Sequence, residues 1–471
     1  MKLYNSESRK IEEFKPNIEG EVKMYTCGPT VYSYAHIGNF RTYIMEDALF
    51  SALQFLGYKV ERIMNITDVG HLSGDSDYGE DKMVKAAISE HKSVLDIAKF
   101  YTDAFLRDFR ALGLKEPKAF VPATHCIEVY IEIISKLLEK GYAYRGGDNI
   151  YYDTSKLAEY YRFGNQNAND NLVGVRDGVT EDEGKRNQND FVLWFTKSKF
   201  EDQALKWNSP WGVGYPGWHI ECSGISYKYL GEKLDIHCGG VDNIFPHHTN
   251  EIAQTEGFVG HKWCNYWFHV NRLNAGDGEK MSKSLGNIYT ISELEKMGYG
   301  PMVYKFFNLL SHYRNQLAFS FEALDAAKNS YTKLLKRIAS LNKTKEGINK
   351  EAYKKYYNHF ADALSNDLNT SLAITTIFDV LKADINDSTK IKLILKFDEV
   401  FNLGFTDVIN NGLQEESIDE DLKTYVEAAI AKRAEAKRDK NFALADSIRA
   451  ELSEKGIELV DTKEGTTYHK K

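Results

Sequence analysis

Strand and helix signals alternate through residues 22–66, which read VKMYTCGPTVYSYAHIGNFRTYIMEDALFSALQFLGYKVERIMNI. The first strand, Val22 to Cys27, ends at Gly28-Pro29, because proline fixes a backbone angle and removes a hydrogen-bond donor. A helix follows Asn39, since apolar residues recur there on one face and a glycine marks its end. A second strand, rich in Val and Ile, runs from Tyr58 to Ile66. The order strand–helix–strand predicts a parallel α/β sheet with right-handed crossovers.

The remaining chain changes character twice. Helical patterns at 80–112 and 125–140 precede a hairpin-like segment, Tyr144–Asp153, and a polar run, NQNANDNLVGVRDGVTEDEGKRNQND, which together indicate an inserted module. Strand and helix signals then return at 234–238 (strand), 245–257 (helix) and 266–270 (strand). After about Asn287 strand signals vanish, and helical periodicity continues from Ile291 to the end. We therefore predict one α/β sheet interrupted by an insertion and followed by an all-α region.

Composition is that of a folded globular protein. The 471 residues suggest about three domains at roughly 150 residues each, with 42% hydrophobic and 27% charged residues. The net charge of −8 argues against general coating of nucleic acid, yet the run 431–440, AKRAEAKRDK, is locally basic, and a nucleic-acid binder needs only one such face. No apolar run approaches the ~20 residues of a membrane span, and the start lacks a signal peptide's apolar stretch. We expect a cytoplasmic protein without a membrane partner.

Five cysteines are too few and too scattered for a disulfide framework, and they stand at positions 27, 126, 222, 238 and 264. An odd number in a cytosolic chain indicates thiols that are kept free or bound to a metal.

The first motif with chemical meaning is Ala35-His36-Ile37-Gly38-Asn39, which opens the predicted helix. Gly38 allows a ligand to approach the backbone, and a helix N-terminus offers free N–H groups to phosphate. His36 and Asn39 share one face and are neutral donors suited to charge that develops on a phosphate. The alternative is a histidine that merely caps a turn.

The second motif is 279–287, EKMSKSLGN, which follows a turn-forming stretch, NAGDG. Lys280 and Lys283, together with Ser282, Ser284 and Gly286, form a cationic loop suited to a triphosphate. A solvated basic loop without function is the alternative.

The third motif set consists of GWHIECS (217–223), DIHCGG (235–240) and FPHHTNE (245–251). His247 and Glu251 are four apart on a predicted helix and therefore converge on one point. Cys27 and Cys222, each placed at the end of a predicted strand, add two thiolates. Two sulfurs, one imidazole and one carboxylate suit tetrahedral Zn²⁺. The spacing matches no zinc-finger or zinc-protease pattern, so core thiols beside a helix face remain the alternative.

The two phosphate motifs resemble the paired ATP signatures of class I aminoacyl-tRNA synthetases, in the same order. The whole chain resembles the cysteinyl-tRNA synthetase family in the segments TCGPTVY, HIGN, GWHIECS, DIHCGGVD, FPHHTNEIAQ and KMSKSLGN and in the tail around 437–446. Asn39 stands where many class I members have His, and Asn occurs there in some branches of the class. Within the cysteinyl resemblance, Val69-Gly70-His71-Leu72 stands where many members have an Ile-Asp-Asp-Lys run, which leaves the local substrate contacts open.

The resemblance implies a Rossmann-type parallel-sheet catalytic domain with an inserted module, followed by an all-α C-terminal region. The implied domains are 1–120 (first catalytic half), 121–206 (inserted connective module), 207–287 (second catalytic half with the KMSKS loop), 288–420 (helical stem-contact and anticodon-binding region) and 421–471 (small tRNA-contacting region).

The resemblance also implies activity and site residues. The activity is ATP-dependent activation of L-cysteine to cysteinyl-adenylate, followed by transfer to the 3′ end of tRNA(Cys), with Mg²⁺ accompanying ATP and the chain a monomer. One Zn²⁺ per subunit recognises the substrate thiol. The implied zinc ligands are Cys27, Cys222, His247 and Glu251; the ATP-binding residues are His36, Gly38, Asn39, Lys280, Met281, Ser282, Lys283 and Ser284, of which His36, Asn39, Lys280 and Lys283 are catalytic; and the substrate-binding residues are Thr67, Trp218 and His237. His248 is assigned either to the core or to a position that supports the ligands, rather than to the metal itself.

Two other functions fit parts of this pattern. A cysteine:amino-sugar ligase of mycothiol synthesis shares the zinc and ATP motifs, but it lacks a long tail like the roughly 180 residues that follow the KMSKS loop here. An inactive RNA-binding paralogue would not be expected to retain His36, Lys280, Lys283 and all four metal positions.

Overall fold

A computed structural model describes residues 1–69, 93–157, 160, 163, 184–197, 205–275, 288–343, 346–413, 420–462 and 465–470. The strands are β1 Lys2–Asn5, β2 Lys10–Glu13, β3 Glu21–Thr26, β4 Lys59–Ile66, β5 Ala119–Pro122, β6 Ala143–Gly146, β7 Asn149–Tyr152, β8 Phe191–Phe195, β9 Tyr215–Pro216, β10 Leu234–Gly240, β11 Cys264–Val270, β12 Leu273–Ala275, β13 Leu317–Phe319, β14 Ile457–Thr462 and β15 Gly465–Lys470. The α-helices are α1 Ile37–Phe55, α2 Val94–Ala111, α3 Ile127–Glu139, α4 Trp218–Leu230, α5 Thr249–Val259, α6 Ile291–Lys296, α7 Pro301–Leu309, α8 Phe321–Ala339, α9 Lys350–Ser365, α10 Thr370–Lys382, α11 Asp387–Phe401, α12 Phe405–Asn411, α13 Glu420–Arg438 and α14 Phe442–Glu454.

A five-stranded parallel sheet in the order β11-β10-β3-β4-β5 is the framework. The predicted strand–helix–strand unit is confirmed, because β3 pairs in parallel with β4 after the crossover through α1. Its inner strands are buried on both faces, so their sequences are mostly apolar rather than alternating. The chain leaves β3 toward β4 on one side, whereas β10 lies on the other side. Strand order therefore reverses between β3 and β10, and the crevice at their carboxyl ends is where such sheets bind ligands.

A second, antiparallel sheet in the order β6-β7-β8-β9 begins within the predicted inserted module and extends to Pro216, past the predicted end of that module at residue 206. Its first hairpin confirms the hairpin predicted at 144–153, with Tyr144 opposite Tyr151. Buried Asp190 holds the module together, because its carboxylate accepts hydrogen bonds from the Tyr144 hydroxyl (2.6 Å) and from the backbone N–H and hydroxyl of Thr154 (2.8 and 2.7 Å). Most of the polar run lies outside the described residues.

The region after residue 288 is mainly helical, as predicted, and the structure adds short strands to it. The ribbon β12-β13 is parallel and joins residues before and after the lysine motif, with Leu273 opposite Leu317. The hairpin β14-β15 follows α14 near the C-terminus. Three-residue strands and a strongly polar hairpin carry too few alternating apolar positions to be detected from periodicity.

The chain divides into two compact units, Met1–Thr406 and Asp407–Lys471. The second unit has a small core of its own, formed by Val426, Ile448, Leu452, Ile457 and Leu459. Within the described residues, no helix is both long and apolar enough to cross a membrane.

Candidate active site

Side chains from three elements meet where β3 and β10 end. Cys27 directly follows β3, and its backbone N–H donates to the Cys238 carbonyl of β10 at 3.2 Å. Glu251 lies in the first turn of α5, and His247 lies in the turn that leads into it. Cys222 lies inside α4 rather than at the end of a strand, so that part of the prediction was wrong. The segment has too few contrasts in polarity to show its helical period, because α4 is buried along most of its length.

These four residues form one compact cluster, in which a donor atom of each lies within 4.8 Å of the others. The two sulfurs, Cys27 Sγ and Cys222 Sγ, are 4.0 Å apart, and Cys222 Sγ is 3.5 Å from His247 Nε2. His247 Nε2 is in turn 3.0 Å from Glu251 Oε1. Ligands at zinc–sulfur and zinc–nitrogen distances occupy a tetrahedron with edges of about 3.3–3.8 Å. The cluster therefore has the size of a zinc site.

The donor atoms also belong to buried groups whose charged forms a bound cation would stabilise. Glu251 Oε1 is buried and has no hydrogen-bond partner among the described residues, although His247 Nε2 is close. Burial, followed by the neighbouring Cys222 sulfur, raises the pKa of Glu251 well above its usual range, and burial likewise raises the pKa of Cys27. A bound cation offsets that cost, since it favours the deprotonated ligands. The residues present fit zinc.

A group of imidazoles surrounds the cluster. His219 Nδ1 lies 2.9 Å from His247 Nδ1, which leaves His247 Nε2 facing the sulfurs. His237 Nε2 and Glu251 Oε2 are joined by a 2.8 Å hydrogen bond. His248 Nδ1 lies 2.8 Å from His269 Nε2. Such partners orient metal ligands and set their tautomers.

Two of these imidazoles also belong to a second possible donor set, which combines Cys27, His237, His248 and Glu251. His248 Nε2 lies 3.3 Å from Cys27 Sγ, so of its two predicted positions this histidine takes the one beside the ligands. Burial lowers the pKa of His237 and His248 and brings that of His269 to about 3. The neutral imidazole is the form that binds metal.

The start of α1 forms a second, more exposed part of the site. His36 is the N-cap, and its Nδ1 accepts the Asn39 backbone N–H at 3.3 Å, while the Asn39 Oδ1 accepts the His36 backbone N–H at 3.0 Å. His36 therefore does cap a turn, as the alternative reading held. A Cβ at position 38 would lie 2.9 Å from the His36 ring, so Gly38 is needed for the imidazole to lie over the helix start.

Comparison with known proteins decides the family. A family model described as "tRNA synthetases class I (C) catalytic domain" matches residues 13–329. The chain is 44% identical over its full length to the cysteine–tRNA ligase of Treponema denticola, with 99% of that protein covered. It is 42% identical over 99% of its length to that of Borreliella burgdorferi, with 98% of that protein covered. The chain belongs to the cysteine–tRNA ligase family. It is a class I aminoacyl-tRNA synthetase.

Solved structures agree on the fold. A methionyl-tRNA synthetase of Mycobacterium tuberculosis bound by methionyl-adenylate matches with a TM-score of 0.57 at 16% identity, covering 84% of this chain and 94% of that one. The LeuRS of Agrobacterium radiobacter K84, in a ternary complex with tRNA and LeuAMS, matches with a TM-score of 0.54 at 12% identity, covering 87% and 88%. The Rossmann-type catalytic fold of this synthetase is thereby confirmed.

The lysine motif of this synthetase, with Lys280, Met281, Ser282, Lys283 and Ser284, lies outside the described residues. Both chain segments that flank it are described, and both contact the start of α1. On the downstream side, the Ile37 backbone N–H donates to the Tyr289 carbonyl at 2.8 Å.

Two of the three predicted substrate residues of the synthetase contact cluster residues, and the third bonds Glu221, the neighbour of Cys222 in the sequence. Trp218 stacks on His247, with ring centroids 4.3 Å apart and planes inclined by 23°. His237 bonds Glu251, as described above. Thr67 is buried, and its hydroxyl donates to Glu221 Oε2 at 2.9 Å and accepts from Asn65 Nδ2 at 3.0 Å. Of the variant run 69–72, only Val69 is described, and it is buried.

Sequence reasoning missed four residues at this site. Asn65 Oδ1 accepts the Gly28 backbone N–H at 2.7 Å and so fixes the turn after β3. His219 and Glu221 flank Cys222 in the segment GWHIECS and were not singled out, and His269 carried no signal at all. Polar residues inside a buried helix were the available sign for His219 and Glu221.

Proposed function

We propose that this synthetase is a cysteine–tRNA ligase. It activates L-cysteine with ATP to cysteinyl-adenylate and transfers the cysteine to the 3′ end of tRNA(Cys). It selects its substrate through a zinc ion held by Cys27, Cys222, His247 and Glu251. The observation that carries the proposal is the buried cluster of two sulfurs, an imidazole nitrogen and a carboxylate oxygen within 4.8 Å of one another, at the ligand crevice of a chain from this family.

Selection of cysteine over serine explains why a metal stands at this point. Pocket shape alone separates near-isosteres by only about 10²-fold, whereas biology often demands ~10⁴-fold. The difference between no preference and ~10⁴-fold corresponds to about 5.5 kcal/mol. When bound, zinc prefers a thiolate to a hydroxyl and lowers the pKa of the thiol. The 2.8 Å hydrogen bond between His237 Nε2 and Glu251 Oε2 keeps the Glu251 carboxylate oriented.

Around this centre the chain's own residues shape the amino-acid pocket. Trp218 covers one face of the His247 ring. Thr67 holds Glu221 in place beside Cys222 through its 2.9 Å hydrogen bond. We assign Thr67, Trp218 and His237 to the substrate pocket on this basis.

ATP binds at the start of α1, where the positive end of the helix dipole favours phosphate. His36 and Asn39, held by their mutual capping bonds, donate to the α-phosphate as the cysteine carboxylate attacks it. Gly38 keeps the approach open. Lys280 and Lys283, with Met281, Ser282 and Ser284 around them, hold the leaving pyrophosphate, and Mg²⁺ accompanies ATP.

The second step needs no protein nucleophile, because the terminal ribose of the tRNA attacks the adenylate. We assign residues 288–420 to contacts with the tRNA stem and anticodon and residues 421–471 to a further tRNA contact. The catalytic domain comprises 1–120 and 207–287, with 121–206 inserted. We propose that the enzyme acts as a cytoplasmic monomer.

One experiment tests the proposal against its rivals. Purified protein is assayed for pyrophosphate exchange into ATP with cysteine or serine, for charging of tRNA(Cys), and for ligation of cysteine to an amino sugar. We expect exchange with cysteine only, together with tRNA charging. Exchange with cysteine but ligation to the amino sugar identifies the mycothiol-type enzyme. Binding of tRNA without any exchange identifies an inactive RNA-binding paralogue.

A further inference from the structure

Arg41, two residues beyond Asn39 in α1, is a buried cation without a carboxylate partner. Its side chain is fully buried, and no carboxylate among the described residues forms an ion pair with it. Burial lowers the pKa of the guanidinium to about 10, so it stays charged near neutral pH. Buried charges are usually paired with an opposite charge, because desolvation is costly. The Arg41 guanidinium must therefore be stabilised by groups other than carboxylates.

Neutral oxygens take that place. Arg41 Nε donates to the Asn271 carbonyl at 2.9 Å, and Nη2 donates to the carbonyls of Asn315 at 2.8 Å and His312 at 3.3 Å. Nη1 donates to Asn308 Oδ1 at 3.4 Å. One guanidinium thus ties α1 to three backbone points and to α7. The rigid fork of arginine is suited to several oxygens at once.

These carbonyls belong to the two segments that carry the β12-β13 ribbon. Asn271 stands between β11 and β12, and β12 ends at Ala275, directly before the segment 276–287 that contains the lysine motif. His312 and Asn315 precede β13, the parallel partner of β12. The two segments are also bonded to each other, since the Asn271 N–H donates to the Tyr313 carbonyl at 2.8 Å. Arg41 therefore holds the upstream flank of the lysine motif.

The downstream flank is tied to the same helix end. The Ile37 N–H donates to the Tyr289 carbonyl at 2.8 Å, and the buried Tyr304 hydroxyl donates to the Ile37 carbonyl at 2.7 Å. Both flanks of 276–287 are thus bonded to the first two turns of α1, where His36 and Asn39 lie.

We propose that Arg41 is a positioning residue, which fixes the separation between the phosphate-binding start of α1 and the strand that leads into the lysine motif. The inference rests on the proposed function, because it concerns the ATP site of that reaction. Arg41 touches neither the metal cluster nor the substrate pocket, so its effect is specific to ATP. A misplacement of about 1 Å at a reacting group is enough for a ~10²-fold loss of rate.

The matched test compares Arg41→Lys with Arg62→Lys. Arg62 is the other fully buried arginine of the sheet region, and it bonds Asp47 at 3.3 Å and the Lys115 carbonyl and stacks on Phe50. None of these contacts reaches residues 271–319. Both substitutions keep a buried cation and remove a guanidinium fork. Five quantities are measured: the ATP dissociation constant without cysteine, KM and kcat in pyrophosphate exchange, zinc content and thermal unfolding.

For Arg41→Lys we expect ATP affinity to fall roughly ten-fold and kcat/KM for ATP to fall ~10²-fold, with the KM for cysteine and the zinc content unchanged. For Arg62→Lys we expect lower stability but unchanged ATP parameters. The inference is overturned if the two variants lose ATP affinity equally, or if Arg41→Lys weakens cysteine and ATP alike.

Two further points keep the test decisive. If Arg41→Lys does not fold, Tyr304→Phe is the alternative variant, because it removes the hydrogen bond between the Tyr304 hydroxyl and the Ile37 carbonyl at the start of α1. It should weaken ATP binding about three- to five-fold. No change in ATP affinity for that variant contradicts the inference.

Because ATP binding is measured without an amino acid, a wild-type protein that binds ATP but does not exchange with cysteine refutes the proposed function alone. A wild type that binds no ATP refutes both.

Discussion

The metal cluster and the start of α1 solve two recognition problems in different ways. The cluster is buried, and its donors come from Cys27, Cys222, His247 and Glu251. The first and the last of these are 224 residues apart in the sequence. The start of α1 is exposed, and His36 and Asn39 reach each other within one helical turn. A soft, directional ligand set needs an enclosed and rigid site, whereas phosphate needs local N–H groups and a helix end.

The contrast predicts that damage to one region leaves the other intact. The metal cluster should control which amino acid is accepted, and the helix start should control the chemistry on ATP. Variants in each region test that separation.

Cys222→Ala should remove the bound zinc and abolish cysteine activation, because the site loses one of its four ligands. Burial also makes the remaining ligands hard to deprotonate unless a metal is bound. The loss should exceed the roughly 10- to 100-fold effects that follow removal of a supporting partner. Metal analysis and pyrophosphate exchange are the measurements. Cys264→Ala, a substitution of another buried free thiol, is the control and should keep one zinc per chain. Full zinc occupancy in Cys222→Ala would refute the ligand set.

His36→Ala should lower kcat of pyrophosphate exchange by roughly 10²–10³-fold, since a preorganised donor to the phosphate is removed. Zinc content should not change. Ser320→Ala is the matched control, because Ser320 caps α8 through a 3.2 Å bond to the Ala323 N–H, and its loss should affect stability only. An equal loss of kcat in both variants would mean that His36 acts only as a cap.

His237→Ala should weaken zinc binding by roughly 10- to 100-fold without abolishing it, because Glu251 Oε2 loses its 2.8 Å partner. Competition with a chelator measures the affinity. His261→Ala, which alters a histidine whose ring contacts the Lys262 carbonyl, serves as the control. Complete loss of zinc would instead assign His237 to the metal itself, in the second donor set.

Thr67→Val should lower the free energy of unfolding by about 2 kcal/mol, because the Asn65 amide loses its buried acceptor and Glu221 Oε2 loses its donor. Denaturant titration measures the change. Thr376→Val replaces a buried threonine that bonds only the preceding helical turn, and it should cost less. If Thr67→Val and Thr376→Val lower the free energy of unfolding equally, the Thr67–Glu221 pair contributes nothing to the fold.

Much of the framework followed from local pattern. The strand–helix–strand unit at 22–66 and the hairpin at 144–153 were predicted correctly, because apolar period and turn residues act over a few positions. The prediction that Cys222 ends a strand was wrong, because it lies in α4, which is buried along most of its length and shows no helical period. The short strands β13 to β15 were missed for the same lack of signal.

By itself, the sequence determined the order of elements, the family motifs and the kinds of donor atom available. The resemblance implied the four zinc ligands, but only the tertiary structure decided that His219, His248 and His269 lie around them and that Arg41 joins α1 to the segment before the lysine motif. The physical reason is distance along the chain. Caps and periods depend on neighbours three or four residues apart, whereas a site at the ends of β3 and β10 depends on strand order, which local pattern does not encode.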